Sequence, residues 1–207
     1  LHYSLLYLNN KLNNNLLIFK GNPESIFLDL IKQNKITEIS WNRCYEPWRV
    51  ERDKLLKKTL RKHAEVKTFN GSLLWEPWEV LKSDSTPYKI FTPFYQRGCL
   101  TKQPPRKPIS KNFSFFDHKI KSLSVNDLKL LDNLGWENKV INHWEIGESF
   151  AEKQMNNFLK EGLGDYSHGR NFPNKPNVSR ISPYLHWGQI SPNTLWYNAE
   201  KLKQDVE

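Results

Sequence analysis

Leu5, Leu8 and Leu12 recur three or four residues apart, which predicts an opening helix with one apolar stripe. Leu16-Leu17-Ile18-Phe19 is an unbroken apolar run closed by Gly21-Asn22-Pro23, the pattern of a buried strand followed by a capped helix. That helix turns Ile26, Phe27, Leu30 and Ile31 inward. Ile36 to Trp41 supplies the next strand, Trp48 to Lys62 a helix with Leu55, Leu56 and Leu60 facing in, and Val66 to Phe69 another strand. Strand and helix alternating through short connections predict a parallel sheet covered on both faces, because parallel neighbours need a crossover and each face needs a cover. The fold class is therefore α/β, a partial doubly wound parallel sheet, over residues 1–96. Tyr88 to Phe94 reads as a terminal edge segment of that domain.

From Arg97 to Asn112 the pattern dissolves. The core of this run, TKQPPRKPISKN, holds three prolines and several cations, so it reads as an extended linker, and residues 97–143 become an interdomain connector. Phe113, Phe115 and Phe116 are expected to anchor it against a domain. Val125 to Trp136, with Leu128, Leu130, Leu131 and Leu134, crosses towards a second domain over 144–207. Ile146 to Leu163 predicts an amphipathic helix with Phe150, Ala151, Met155, Phe158 and Leu159 inside, stopped by Gly162 and Gly164. Ser182-Pro183 and Ser191-Pro192 each predict a helix start, because the serine oxygen accepts an orphan backbone N–H and proline has none to leave unpaired. The final helix carries Leu195, Trp196 and Leu202.

The 207 residues fit one large domain or a small one plus part of another, and their formal charge of +9 predicts attraction to polyanions, nucleic acid first. A basic surface that serves only solubility remains open. Cys44 and Cys99 stand far apart and outside any CxxC, against a zinc site or disulfide framework, and they fit a reducing cytoplasm. The six histidines show no metal spacing, no GxSxG elbow or GxGxxG is present, and no apolar run reaches the ~18 residues of a membrane span. No metal and no membrane partner are expected. The chain opens on Leu1 inside a patterned segment, as a fragment would.

The candidate chemistry lies between Tyr166 and Trp196. Ser179, Arg180 and Ser182 sit at the first predicted helix start, where exposed amides favour an anion; two ordinary caps and a solvated arginine fit the same residues. Tyr166 with Arg170-Asn171-Phe172-Pro173, then Ser179-Arg180-Ile181-Ser182-Pro183-Tyr184-Leu185-His186-Trp187-Gly188 and Ile190-Ser191-Pro192, resembles the start of the flavin-binding helical domain of the DNA photolyase and cryptochrome family. Gly147-Glu148, Phe158-Leu159, Trp41-Asn42-Arg43, Tyr45-Glu46-Pro47, Arg52-Asp53 and Tyr88 to Phe94 extend the resemblance over nearly the whole chain.

The resemblance implies an antenna-type α/β domain without its first strand, followed by the beginning of an all-α FAD-binding domain. It implies a fragment of a light-dependent lyase that splits cyclobutane pyrimidine dimers in DNA by electron transfer from reduced FAD, monomeric, with the catalytic residues in the part that follows. A cryptochrome-like blue-light photoreceptor and an inactive truncated product are the alternatives, and the piece alone is expected to be inactive. Carried over by position, Tyr166, Val178, Ser179, Arg180, Ile181 and Ser182 correspond to FAD contacts. Val178 stands where the family commonly has threonine, so its contact falls to the main chain. Arg170 corresponds to the DNA-facing side, with an ion pair to Asp165 as the plainer role. Asn42, Arg43, Tyr45 and Glu46, with Trp48, occupy the place of an antenna pocket for folate or deazaflavin, beyond the carboxyl end of a strand. A structural corner held by Glu46 and Arg52 fits the same residues, and Trp48-Arg49 lacks the asparagine-glutamate pair of some folate-binding members.

Overall fold

The computed structural model describes residues 1–110, 114–115, 120–131 and 135–204. By contacts the described chain falls into two compact units. One joins Leu1–Phe69 to the described part of 111–190, and the other joins Asn70–Ser110 to the described part of 191–207.

In the first unit, helix α1 (His2–Lys11) is followed by α2 (Pro23–Asn34), β1 (Glu38–Asn42), α3 (Pro47–Leu60) and β2 (Glu65–Phe69). The Asn22 side chain starts α2 by accepting the N–H groups of Glu24 and Ser25, with Pro23 at the first helical position. β1 and β2 pair in parallel, Ile39 opposite Val66 and Trp41 opposite Thr68, and α3 is the crossover between them. Ile39, Leu56, Leu60 and Val66 form the core, with Phe27, Leu28 and Ile31 of α2 packed against it. Both helices therefore cover the same face.

The other face does not match the two-sided cover that the strand pattern predicts. Lys67 lies there between Glu38 at 2.6 Å and Glu65 at 3.2 Å, and these side chains are largely exposed. The expected strand at Leu16–Phe19 is also absent as a strand. The N–H of Ile18 donates to Ser122 Oγ at 2.7 Å and its carbonyl accepts from Leu123 at 3.0 Å, so both groups are spent on an isolated antiparallel bridge. A two-stranded sheet remains among the described residues.

Helices α5 (Trp136–Ile141), α6 (Glu148–Asn157), α7 (Tyr166–Gly169) and α8 (Ser182–His186) complete this unit. The long helix predicted from Ile146 to Leu163 is α6 followed by a π-helical turn, Phe158–Gly162. Gly147 precedes it at φ 134, and a Cβ there would lie 2.3 Å from the Tyr7 ring, so α1 reaches α6 only across a glycine. Tyr7 shares a hydrogen bond with Ser149 at 3.1 Å, and Lys11 pairs with Glu148.

In the second unit, the expected edge segment Tyr88–Phe94 forms no strand: Tyr88 to Ile90 are irregular and the chain is helical from Phe91. α4 (Phe91–Pro93) runs into a π-helical turn, Phe94–Gly98, and a 3-10 turn, Cys99–Thr101. Pro93 has no N–H for a ladder but suits a helix start. The described part of the proline-rich run after it, 102–110, has no helix or strand, as its composition implies, yet it is tied to helix α9 (Pro192–Gln204). Asn193, fully buried, donates to the Arg106 carbonyl at 2.7 Å, and Tyr197 donates to that of Pro105. Trp75 packs edge-on against Trp196 at 5.3 Å and donates to the Gln103 carbonyl at 2.9 Å. Phe113, Phe116 and Leu134 lie outside the described residues; Phe115 is exposed.

Candidate functional site

Helix α6 builds the site. Its inner stripe buries Ala151 and Met155, and Gln154 on the same side sends Nε2 to the Ser179 carbonyl at 2.8 Å. One turn further on, Phe158 meets the edge of the Tyr166 ring at 5.7 Å. Residues four apart share one side of a helix. Tyr166 and the turn 178–182, widely separated in sequence, are thus both attached to that side.

Within the turn, Arg180 has φ 52, a left-handed conformation that a residue with a Cβ rarely adopts. Its neighbours hold it there. Ser179 is fixed by Gln154, and Ile181 is buried, its N–H donating to Ser179 Oγ at 3.4 Å. Val178, Arg180 and Ser182 remain exposed, and Tyr166 is 37% exposed.

The serine expected to cap α8 does not do so. Ser182 is the first helical residue, Ile181 holds the cap position without a side-chain bond, and α8 has five residues, too short to develop much of a dipole. The hydroxyl of Ser182 is left for solvent or a ligand. Ser191 does behave as predicted, accepting the N–H of Asn193 at 3.2 Å.

Arg170 rests its guanidinium 5.4 Å above the Tyr166 ring, while Asp165 pairs with Lys175 at 3.1 Å. The ion pair considered for Arg170 and Asp165 is therefore replaced by a cation–π contact. Asn177 is buried, and its Nδ2 donates to the Gly162 carbonyl at 3.0 Å. A Cβ on Gly169 would come within 2.1 Å of Asn177 Oδ1, so only glycine fits beneath it. Gln154 and Asn177 were not among the sequence candidates. A polar residue on an apolar helix stripe was the available sign for Gln154; Asn177 carried none.

The loop after β1 is a tied corner. Arg43 gives its N–H to the Phe69 carbonyl at 2.8 Å and its Nη1 to the Thr68 carbonyl at 2.6 Å. Glu46 pairs with Arg49 at 3.4 Å. Buried Asp53 accepts from Trp41 Nε1 at 3.2 Å and from Arg52 at 2.7 Å, which raises the Arg52 pKa. Asn42 ends β1, Tyr45 is half-buried, and Trp48 stands 63% exposed beside Arg49 and Arg52.

A cavity of about 310 Å³ opens beside α8, walled by Tyr3, Trp144, Glu145, Tyr184, Trp187 and Gln189 among others. None of the residues expected to contact FAD is in its wall. Two of its polar groups are engaged: Tyr184 donates to the Glu145 carbonyl at 2.8 Å, and Gln189 bridges Ser4 and the Gly147 N–H. Burial, then the Glu145 charge, pushes the Tyr184 phenol pKa up.

The family model described as DNA photolyase matches residues 1–111, more than half of the chain. The chain belongs to the DNA photolyase family. A deoxyribodipyrimidine photo-lyase of Agrobacterium fabrum is 33% identical over 213 residues, covering 100% of this chain and 44% of that protein. Cryptochrome-1 of Arabidopsis thaliana is 27% identical, with 91% of this chain and 28% of that protein covered. Among solved structures, a bacterial class III photolyase from Agrobacterium tumefaciens superposes with a TM-score of 0.90 at 32% identity, covering 98% of this chain and 43% of that one. This photolyase-family chain thus has the photolyase fold and spans less than half the length of these relatives. Among its described residues no helix is long and apolar enough to cross a membrane, and no histidine, cysteine and carboxylate cluster has the make-up of a metal site.

Proposed function

We propose that the protein carrying this chain is a light-dependent DNA repair lyase acting on cyclobutane pyrimidine dimers, with the turn 178–182 and Tyr166 forming part of its FAD site. The observation that carries this is the left-handed Arg180, clamped between Ser179 and buried Ile181, with exposed Ser182 beside it. Neighbouring left- and right-handed residues turn successive N–H groups to one side, where an anion such as a diphosphate binds.

The residues present fit such a group. Arg180 and Ser182 offer unspent donors to solvent, and nothing in the turn places a carboxylate against them. Bound FAD supplies the light-driven electron transfer that opens the dimer. Ser179 and Ser182 hold the diphosphate by hydroxyl and amide, Val178 contributes main chain only, Tyr166 flanks the site, and Arg170 meets a DNA phosphate. The corner Asn42 to Glu46 is proposed first as a structural corner, with an antenna folate or deazaflavin as its further use.

The domain division proposed is an antenna-type domain over 1–96, a connector over 97–143 and the start of the helical domain over 144–207. A monomer in the cytoplasm is the setting that accompanies this reading. The test uses the full reading frame that contains this chain. Blue light should remove dimers from irradiated thymine oligonucleotide in the presence of the reduced flavoprotein. Flavin binding without dimer loss would assign the photoreceptor role instead. Replacing Ser179 and Ser182 together by alanine should weaken flavin retention by about 1–3 kcal/mol, and unchanged retention rejects the site.

A further inference from the structure

Position 154 shares the stripe of α6 that buries Ala151 and Met155, where an apolar side chain would pack. Gln154 instead spends Nε2 on the Ser179 carbonyl at 2.8 Å. That carbonyl belongs to the peptide joining Ser179 to Arg180. In a trans peptide the C=O and the N–H point in opposite directions, and no peptide bond in the described chain is cis. With the Ser179 oxygen drawn towards α6, the Arg180 N–H is turned away from the helix. Among the described residues no group accepts it.

Arg180 itself would leave φ 52 if its flanks were loose, since a left-handed residue with a side chain persists only where its surroundings fix it. The flank after it is fixed by burial of Ile181. The flank before it is fixed by Gln154.

We propose that Gln154 is a positioning residue that locks the Ser179–Arg180 peptide so that the Arg180 N–H faces the diphosphate of a bound dinucleotide. It acts through Ser179 and does not touch the ligand. The inference rests on the reading of this turn as part of the flavin site.

The experiment titrates FAD into the flavin-free full-length protein and follows amide hydrogen exchange at residues 179–182. Gln154→Leu, similar in bulk but without a donor, should weaken FAD binding by roughly three- to tenfold, the worth of one net hydrogen bond. Exchange at Ile181, whose N–H is held by Ser179 Oγ, should quicken, with the melting temperature of the flavin-free protein unchanged. Gln154→Arg returns a donor and should restore most of the affinity. Gln154→Glu, which puts an acceptor against the carbonyl, should weaken binding at least as much as leucine and serves if the leucine variant does not fold. Wild-type affinity in the leucine and glutamate variants, while Ser179→Ala with Ser182→Ala still loses flavin, overturns the role of Gln154 and leaves the site intact. Wild-type retention in the serine double variant instead rejects the site. A loss of affinity that only tracks a lower melting temperature of the flavin-free protein, without rescue by arginine, also overturns it.

Discussion

At the scale of single residues, two positions show how a side chain can be dictated by what surrounds it. Gly169 lies under Asn177 with no room for a methyl group, and Asn177 is held by the Gly162 carbonyl at 3.0 Å. Gly169→Ala should therefore destabilise the first unit by about 1–3 kcal/mol, the usual cost of overpacking, read as a lower urea midpoint. Asp84 is a surface case. Its carboxylate accepts the hydroxyl and the N–H of Thr86, with Lys82 further off, and its pKa falls to about 2. A depressed carboxylate favours the folded turn above the ordinary aspartate range of about 4. That contribution fades as pH drops from there through about 2. The Thr86 amide resonance should titrate near the lower value, and Thr86→Val should move it upward. The Gly169–Asn177 relation was not legible in the sequence, because it depends on which groups face each other in the fold. The motif residues Ser179, Arg180 and Ser182 were legible, while the partner that organises them, Gln154, sits 25 residues upstream of Ser179, on the side of an amphipathic helix that periodicity reads as apolar.

Among the elements, those whose start and period agree formed as predicted. α2 and α3 follow Pro23 and Pro47, and β1 and β2 coincide with the apolar runs around Ile39 and Val66. Asn22→Ala removes the acceptor for two N–H groups of α2 and should cost about 1 kcal/mol, seen as lost helicity and a lower melting temperature. Failures came where an element needs a neighbour. Leu16 to Phe19 has the composition of a strand but finds Ser122 and Leu123, one bridge's worth of partners. The two serine-proline pairs read alike, yet Ser191 caps its helix and Ser182 does not, because burial of Ile181 sets the chain direction one residue early. The described part of the proline-rich run, 102–110, forms no helix or strand, in keeping with its composition, but it is packed rather than free. Its attachment through Asn193 and Tyr197 was invisible, since both donors lie some 90 residues away.

Across the whole molecule, charge and incompleteness of cover are the leading features. With lysine and arginine outnumbering acids 31 to 22, binding of the full-length protein to undamaged duplex DNA should weaken linearly as the logarithm of affinity against that of salt. Fluorescence anisotropy from low to physiological salt measures the slope, and charge reversal at Arg170 should make it shallower by about one. Resemblance across nearly the entire sequence made the fold legible. The sheet face carrying Lys67 between Glu38 and Glu65 was not, since acidic and basic positions in alternation fit a solvated face or a paired one equally.

The wedge of Asn177 over Gly169 constrains how this segment can change over time. Position 169 is not free to drift alone: a larger residue there demands a smaller one at 177, and the order of the two steps is fixed, with the shrinking substitution first. In a pool of genes randomised at both codons and selected for solubility, survivors carrying alanine at 169 should have traded asparagine at 177 for glycine, because the Asn177 Cβ itself would lie 2.7 Å from the new methyl group.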